Sequence, residues 1–263
     1  MCRLLGLISL KPVDLEFSLK KFKVLAKYNP DGWGIGWYEN GYGKIFKQEL
    51  KATSKDSKYD VLSKQVISRI IIAHLRKGTE GGIKKENTHP FRYKNWIFAH
   101  NGSVDKNYIL KNYLLDEYKN KIIGETDSEI FFYLIIQSIE KNNDIKEGIK
   151  EAIEKIDESN IYYSGLNFLL TDGNNLYAFR YSKINQDYYS LYYLDRNPLN
   201  YDLLKLESEE TKMLIQSKRL NREYAVLVCS EKLTEEKWIS IGLGELLIIN
   251  KNLKISKFKI IDL

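Results

Sequence analysis

Cysteine and proline are scarce in this sequence of 263 residues, and both shortages limit what the chain can be. The two cysteines, Cys2 and Cys229, do not provide a disulfide framework, so the composition suits a reducing compartment. The four prolines are scattered, and no Pro- or Ser-rich linker separates two bodies. We therefore expect a single cytoplasmic domain that covers residues 2–263.

Long hydrophobic runs are also missing. The longest, at residues 130–136, has seven members, whereas a membrane-spanning helix needs ~20. The short apolar segment at residues 4–10 lacks the small-residue cleavage site of a signal peptide. The 41 basic and 35 acidic residues give a net charge of +6, but they are interspersed, whereas a nucleic-acid groove needs clustered basic residues. The sequence therefore argues against both membranes and nucleic acids as partners.

Hydrophobic periodicity predicts an α+β protein. Its first part should contain strands at residues 2–10, 33–39, 43–50, 69–75 and 96–100, and helices at residues 14–28, 58–68, 126–140 and 144–157. After residue 159 the pattern is typical of strands, which we place at residues 163–171, 176–181, 188–194, 224–228, 246–250 and 255–261. Many strands interrupted by a central pair of helices predict one layered domain, with two antiparallel sheets flanked by helices.

Cys2 is the most informative residue, because it directly follows the initiator methionine. Removal of Met1 would place a free α-amine and a thiol on the same residue. The amine titrates near ~8 and the thiol near ~8.5, so the amine can act as the base for the thiol close to neutral pH. Such a nucleophile is a known catalytic arrangement. The alternative is that Cys2 is a small apolar residue at the start of a strand.

The three histidines, His74, His89 and His100, fall within 27 residues of one another. They lie on separate predicted segments, and neither an interleaved pair of carboxylates nor a zinc-binding spacing accompanies them. We therefore expect no metal and no cofactor, and each histidine on its own is best explained as a structural residue.

Four other polar residues stand at the ends of predicted elements. Arg76 follows an apolar strand and could bind a carboxylate through two parallel hydrogen bonds, or could simply lie at the surface. Asn101 and Gly102 end another strand, where a side-chain amide and a backbone N–H are suited to stabilise an oxyanion, although an Asn-Gly pair is also an ordinary turn. Asp127 begins a helix, where it could cap the helix or hold an ammonium group.

Taken together, six ordered motifs resemble the class II glutamine amidotransferases, a family of N-terminal-nucleophile enzymes. The motifs are Met-Cys2-Arg-Leu-Leu-Gly6, Asp31-Gly-Trp-Gly-Ile-Gly-Trp-Tyr38, Ala73-His-Leu-Arg76-Lys-Gly-Thr79, Asn87-Thr-His89-Pro-Phe91, Ala99-His-Asn101-Gly102 and Thr126-Asp127-Ser-Glu129. They cover residues 2 to about 135. The later β-rich half agrees with the family in pattern more than in motif.

The resemblance implies a four-layer αββα sandwich, in agreement with the periodicity. It also implies that Cys2 is the nucleophile with its own α-amine as base, and that Asn101 and Gly102 form the oxyanion hole. Arg76, assisted by Thr79, would bind the α-carboxylate of the glutamyl substrate, and Asp127 would bind its α-ammonium.

The resemblance leaves the substrate open. The leading hypothesis is hydrolysis of glutamine to glutamate and ammonia, and a separate synthase chain could accept the ammonia. The alternatives are hydrolysis of a larger γ-glutamyl compound, or non-catalytic glutamine binding if Met1 is retained. Lys77 and Glu80 stand where large synthase-fused members have Trp and His, so the loop resembles the compact, stand-alone branch instead.

Overall fold

A computed structural model describes residues 2–14, 16–196 and 223–261. The described strands are β1 (Arg3–Asp14), β2 (Trp33–Glu39), β3 (Tyr42–Gln48), β4 (Ile67–Leu75), β5 (Phe91–Tyr93), β6 (Trp96–Asn101), β7 (Asn167–Thr171), β8 (Leu176–Arg180), β9 (Tyr192–Arg196), β10 (Ala225–Cys229), β11 (Ile239–Ser240), β12 (Glu245–Ile249) and β13 (Ile255–Lys259). The described helices are α1 (Glu16–Val24), α2 (Tyr59–Gln65), α3 (Lys106–Asn112), α4 (Asp116–Lys119), α5 (Asp127–Asn142) and α6 (Ile145–Glu158), and a 3-10 turn follows α1 at Leu25–Tyr28.

The strands form two antiparallel sheets. The seven-stranded sheet has the order β11-β9-β10-β1-β4-β2-β3, and the six-stranded sheet has the order β13-β12-β8-β7-β6-β5. In the first sheet β1 lies between β4 and β10, with Arg3 opposite Leu75 and Leu5 opposite Cys229. The first and fourth strands of the chain are therefore neighbours, which brings their ends together at one edge of the sandwich.

Three hydrophobic clusters separate four layers. One cluster lies between the two sheets and includes Leu4, Ile72 and Ala99. A second packs α1 and α2 against the outer face of the seven-stranded sheet, and a third packs α5 and α6 against the outer face of the other sheet. The αββα sandwich and the α+β class predicted from the sequence are confirmed.

Helix α5 explains why the longest apolar run of the sequence is not a membrane span. Thr126 caps its start by accepting a hydrogen bond from the backbone N–H of Glu129. The first 13 residues of the helix are buried, because it packs between the six-stranded sheet and α6. Among the described residues, no helix is long and apolar enough to cross a membrane.

Most predicted elements agree with the structure to within a few residues, and β2 agrees at both ends. One prediction was wrong: the first strand does not end at residue 10 but continues through Pro12 to Asp14, and its pairing with β4 shifts register between Ile8 and Val13. The sequence also missed the short elements β5, β11, α3 and α4. The fate of Met1 and the end of the predicted domain at residues 262–263 lie outside the described residues, as do residue 15 and residues 197–222.

Candidate active site

Strand pairing brings the predicted residues to one end of the space between the sheets. Leu4 and Ile72 point into that space, so alternation along the strands directs Cys2 and Arg76 the same way, one residue beyond the paired positions Arg3 and Leu75. In the opposing sheet, Ala99 also points inward, and Asn101 at the end of β6 follows it by two positions. The same argument turns His100 outward, toward α5.

The Cys2 thiol is held by the backbone of Lys77. The N–H of Lys77 donates to Sγ at 3.2 Å, and the thiol donates to the Lys77 carbonyl at 3.3 Å. Burial raises the pKa of the thiol, and the Lys77 backbone contact and the positive charge of Arg76 offset only part of that shift. The thiol is therefore positioned but is not ionised by its surroundings, so a reaction at sulfur needs a base.

Asn101 fixes the backbone of Cys2 from the other sheet. Its Nδ2 donates to the Cys2 carbonyl at 2.8 Å, and the side chain is fully buried. One N–H of the amide is used in this contact, which leaves the second N–H of the same group for another acceptor. Asn101 is thus close to the nucleophile predicted from the sequence, and it is not an exposed turn residue.

The Arg76 guanidinium lies below the loop that follows β4. Its Nη2 donates to the carbonyls of Glu80 at 2.8 Å and Gly81 at 3.3 Å, and the side chain is only 3% exposed. An added Cβ on Gly78 would lie 3.0 Å from the guanidinium, so the glycine allows the loop to pass directly over it. Arg76 is therefore a buried cation whose described partners are neutral carbonyl groups, and the alternative of a surface arginine is wrong.

Asp127 is the first residue of α5 but does not cap it, because Thr126 holds the capping position. Its Oδ2 accepts a hydrogen bond from the N–H of Val104 at 2.8 Å, and Ser128 Oγ donates weakly to Oδ1 at 3.4 Å. Burial raises the pKa of Asp127 to about 6; the hydrogen bond from Val104 opposes this shift, and the negative charge of Glu80 adds to it. The carboxylate is therefore charged at neutral pH but poorly solvated, and this favours the binding of a cation.

A cleft joins these groups. Its lining includes Cys2, Arg76, Thr79, Gly102 and Asp127, which are five of the six predicted site residues; Asn101 lies behind Cys2. Thr79 is exposed, and its hydroxyl contacts Ser103 Oγ at 3.3 Å. A pocket that presents a thiol, a guanidinium and a carboxylate together can hold a zwitterion of amino-acid size beside the sulfur.

The backbone conformation and the close packing at position 102 require a glycine. Its φ is +148°, and an added Cβ would lie 1.9 Å from the carbonyl oxygen of Gly165. No larger residue can occupy this position without moving β7 and the segment before it. The close approach keeps the Gly102 backbone at the edge of the cleft.

The histidines are buried beside the cleft. His74 and His89 stack with their ring centroids 4.1 Å apart, and burial lowers the pKa of both, that of His74 to about 3. His100 uses both ring nitrogens, on Ser128 Oγ at 3.0 Å and on the Gly165 carbonyl at 3.1 Å, and burial lowers its pKa to about 4. His89 also lines the cleft, but its lowered pKa makes it a weak base.

The sequence missed the groups that support the site through the backbone. Lys77 contacts the thiol only through its N–H and C=O, and Asp31 accepts the N–H of Gly78 at 2.8 Å, which anchors the loop over Arg76. Backbone contacts do not depend on residue type and leave no pattern in a sequence. Asp31 does lie in a quoted motif, so its position was visible although its role was not.

Comparison with known proteins identifies the family of the chain. Residues 1–258 match the sequence profile described as Glutamine amidotransferases class-II. The chain belongs to this family. Protein MJ1515 of Methanocaldococcus jannaschii, whose function is uncharacterized, is 34% identical over 254 residues, which cover 94% of this chain and 69% of that protein.

Two solved structures share the fold. A glutamine aminotransferase class-II domain protein from Silicibacter pomeroyi is similar with a TM-score of 0.67 and 21% identity, over 98% of this chain and 99% of that one. The glutamine phosphoribosylpyrophosphate amidotransferase of Bacillus subtilis is similar with a TM-score of 0.65 and 17% identity, over 98% of this chain and 49% of the other. At these identities the likeness concerns the fold alone.

Proposed function

We propose that the protein hydrolyses γ-glutamyl amides, of which glutamine is the smallest, with the Cys2 thiol as nucleophile. The observation that carries the proposal is the cleft in which Cys2 lies together with Arg76 and Asp127. Sulfur attacks the side-chain carbonyl, the C–N bond breaks, and ammonia or an amine leaves with the thiol proton. Water then opens the γ-glutamyl thioester, which releases glutamate and restores the thiol.

The α-amine of Cys2 is the proposed base. The raised pKa of the thiol means that it holds its proton at neutral pH, and the nearby histidines have lowered pKa values. A free α-amine titrates near ~8 and is attached to the same residue, so it is the better acceptor. This proposal requires that Met1 is removed, because an acylated nitrogen cannot accept a proton.

Arg76 and Asp127 are the proposed recognition groups for the glutamyl end. The guanidinium would exchange its contacts to loop carbonyls for a charge-assisted pair with the α-carboxylate. The Asp127 carboxylate would accept the α-ammonium, and Thr79 would add a hydroxyl at the exposed side of the cleft. Both charged groups are buried, so their interactions with the substrate are weakly screened.

Asn101 and Gly102 are the proposed oxyanion donors. The Asn101 amide already bonds the Cys2 carbonyl, which fixes its orientation, and its second N–H can donate to the oxygen that becomes negative during attack. The Gly102 backbone at the edge of the cleft supplies the other N–H. Fixed donors of this kind stabilise the tetrahedral state without reorganising.

The role of the free α-amine can be tested with one chain in two states. The protein is made with a removable tag directly before Cys2, and glutamate release from glutamine and from a panel of γ-glutamyl amides is measured before and after protease cleavage exposes the cysteine. Activity should appear only after cleavage. A glutamine-analogue electrophile should label Cys2 of the cleaved chain, and Cys229→Ala serves as the matched control because Cys229 is fully buried in β10.

Two results would contradict the proposal. Equal turnover before and after cleavage would show that the amine is not the base. Tight glutamine binding by the cleaved chain without turnover of any amide would instead support a non-catalytic binding protein. A separate synthase chain that accepts the released ammonia stays a prediction, and added candidate synthases would have to raise glutamine turnover to support it.

A further inference from the structure

One tripeptide, Tyr-Tyr-Ser, occurs twice in the sequence, at residues 162–164 and 188–190. In each copy the first tyrosine is exposed and the second is buried. Tyr162 is 66% exposed and Tyr188 is 50% exposed, whereas Tyr163 and Tyr189 are 5% and 8% exposed. Neither exposed ring contributes to the hydrophobic core, and the proposed reaction of Cys2 uses neither of them.

Tyr189 connects the second copy to the active-site cleft. The backbone of Gly102, which lines the cleft, packs directly on the carbonyl of Gly165. The ring of Tyr189 in turn packs on Gly165, where an added Cβ would lie 2.6 Å from the ring. Two packing contacts, Gly102 with Gly165 and Gly165 with Tyr189, therefore connect the edge of the cleft to the tyrosine ring.

A row of hydroxyl groups runs along the same path. Thr79 of the cleft contacts Ser103 Oγ at 3.3 Å, and the N–H of Ser103 donates to Ser164 Oγ at 3.0 Å. Tyr189 Oη donates to the same Ser164 oxygen at 2.8 Å. The surface between the cleft and the tyrosines is thus lined continuously by ordered polar groups.

Three tyrosines form a shelf at the end of this path. We call Tyr162, Tyr188 and Tyr189 the tyrosine shelf. Tyr188 and Tyr189 meet edge to face with their ring centroids 5.2 Å apart. Tyr162 lies two residues before Ser164, the acceptor of the Tyr189 hydroxyl, so the chain places it beside the other two tyrosines.

We propose that the tyrosine shelf binds an aromatic ring on the amine side of an extended γ-glutamyl amide, so that the preferred substrate is larger than glutamine. This inference rests on the proposed function. The polar lining of the cleft, with Arg76 and Asp127, suits the charged glutamyl group rather than a larger leaving amine. The rest of a larger amide must leave the cleft, and the edge at Gly102 leads to the exposed rings.

The tyrosine rings define the class of the amine. Aromatic rings prefer edge-to-face or offset contacts with other rings, and Tyr188 already packs in this way against Tyr189. Tyrosine also provides contact area at low entropic cost, because it has few rotatable bonds. A planar aromatic group on the leaving amine would therefore find two partly exposed rings and adjacent hydroxyls.

The test compares two dipeptides that differ only in the ring. γ-Glutamylphenylalanine and γ-glutamylalanine contain the same scissile bond and similar leaving amines, so a difference in kcat/KM reports contacts of the side chain. The wild-type chain with Cys2 exposed should prefer the phenylalanine compound by about tenfold, the effect of one to two aromatic contacts. Tyr162→Ala and Tyr188→Ala should each lower that ratio, and together they should bring it close to one.

The ratio of the two kcat/KM values is measured within one preparation, so a partly unfolded variant does not distort it. Tyr42→Ala is the matched control, because Tyr42 is 71% exposed at the start of β3 and outside the path described. Turnover of both dipeptides with a ratio near one in the wild type, or a ratio that the two variants leave unchanged, would overturn the inference and leave the proposed function intact. If the chain turns over neither glutamine nor either of the two dipeptides, the inference and the proposed function are both overturned.

Discussion

The charge on Asp127 should reduce the stability of the free protein. Its pKa rises from 3.8 to about 6 because the folded protein buries the carboxylate. A raised folded-state pKa means that ionisation is harder in the folded than in the unfolded chain, so the carboxylate costs stability once it is charged. The cost is absent well below pH 3.8, grows as the pH rises toward 6, and is constant above that.

The size of the effect follows from the shift in the pKa. At about 1.4 kcal/mol per unit, a shift of about two units corresponds to roughly 3 kcal/mol at pH 7.5. Asp127→Asn removes the charge and keeps an oxygen to accept the N–H of Val104, although it weakens a hydrogen bond worth about 1 kcal/mol. We expect a net gain of about 1–2 kcal/mol, and hence a Tm higher by roughly 2–6 °C.

The assay combines stability and activity. Urea unfolding of wild type and Asp127→Asn at pH 7.5 and pH 4.0 should show the gain at the higher pH. Most of it should be absent at pH 4.0, which lies close to the ordinary pKa of 3.8 and well below the folded-state pKa of about 6. The kcat/KM for glutamine should fall on the order of 10²–10³-fold, because the ammonium loses its charged partner. Asp56→Asn, on an exposed loop, makes the same formal change and should alter neither quantity. An Asp127→Asn variant that is less stable than wild type at pH 7.5, or a difference in stability that does not depend on pH, would refute the reasoning.

Two further substitutions test the oxyanion side of the cleft. Asn101→Ala should lower kcat by ~10²–10³ while the Kd for glutamine changes little, because the lost contact strengthens only as the carbonyl becomes tetrahedral. It should also lower the Tm, since it frees the Cys2 carbonyl, so a lower Tm with normal kcat would exclude the oxyanion role. Gly102→Ala should cost roughly 3 kcal/mol or more in urea unfolding, because its Cβ meets the Gly165 carbonyl at 1.9 Å; an unchanged midpoint would show that the backbone adapts.

The parts of the fold that were predictable are those that leave a periodic signal. Strand β2 and the paired helices α5 and α6 could be predicted because their buried positions are apolar. Helix α6 is buried on one face and α5 on nearly all of its faces. The continuation of β1 beyond Pro12 was not found, since proline ordinarily ends a strand and the register shift that tolerates it depends on the partner strand. Short elements such as α4 contain too few residues to show a period.

The site also contains residues that the sequence predicts and residues that it does not. Cys2, Arg76 and Asn101 could be predicted because Cys2 directly precedes an apolar strand, Arg76 directly follows one and Asn101 ends one. Pairing of β1 with β4 brings Cys2 close to Arg76, and the packing of the two sheets adds Asn101. The two Tyr-Tyr-Ser copies gave no such signal, because they meet through the packing of Tyr189 on Gly165 and its hydrogen bond to Ser164. The spacing of residues in the sequence does not show such contacts, because they depend on the close packing of loops at glycine residues.

The electrostatics of the cleft give a reason for one kind of ligand. Among the residues that the structure describes, Arg76 and Asp127 form no salt bridge with each other or with another side chain, although both are buried and line the same cleft. Each charge is solvated mainly by backbone groups, which is less favourable than a pairing with an opposite charge in a site of low dielectric. A zwitterion brings a carboxylate and an ammonium at once and supplies both missing partners. A ligand that carries only one of these charges would leave the other buried group uncompensated, so the electrostatics of the cleft favour a zwitterion.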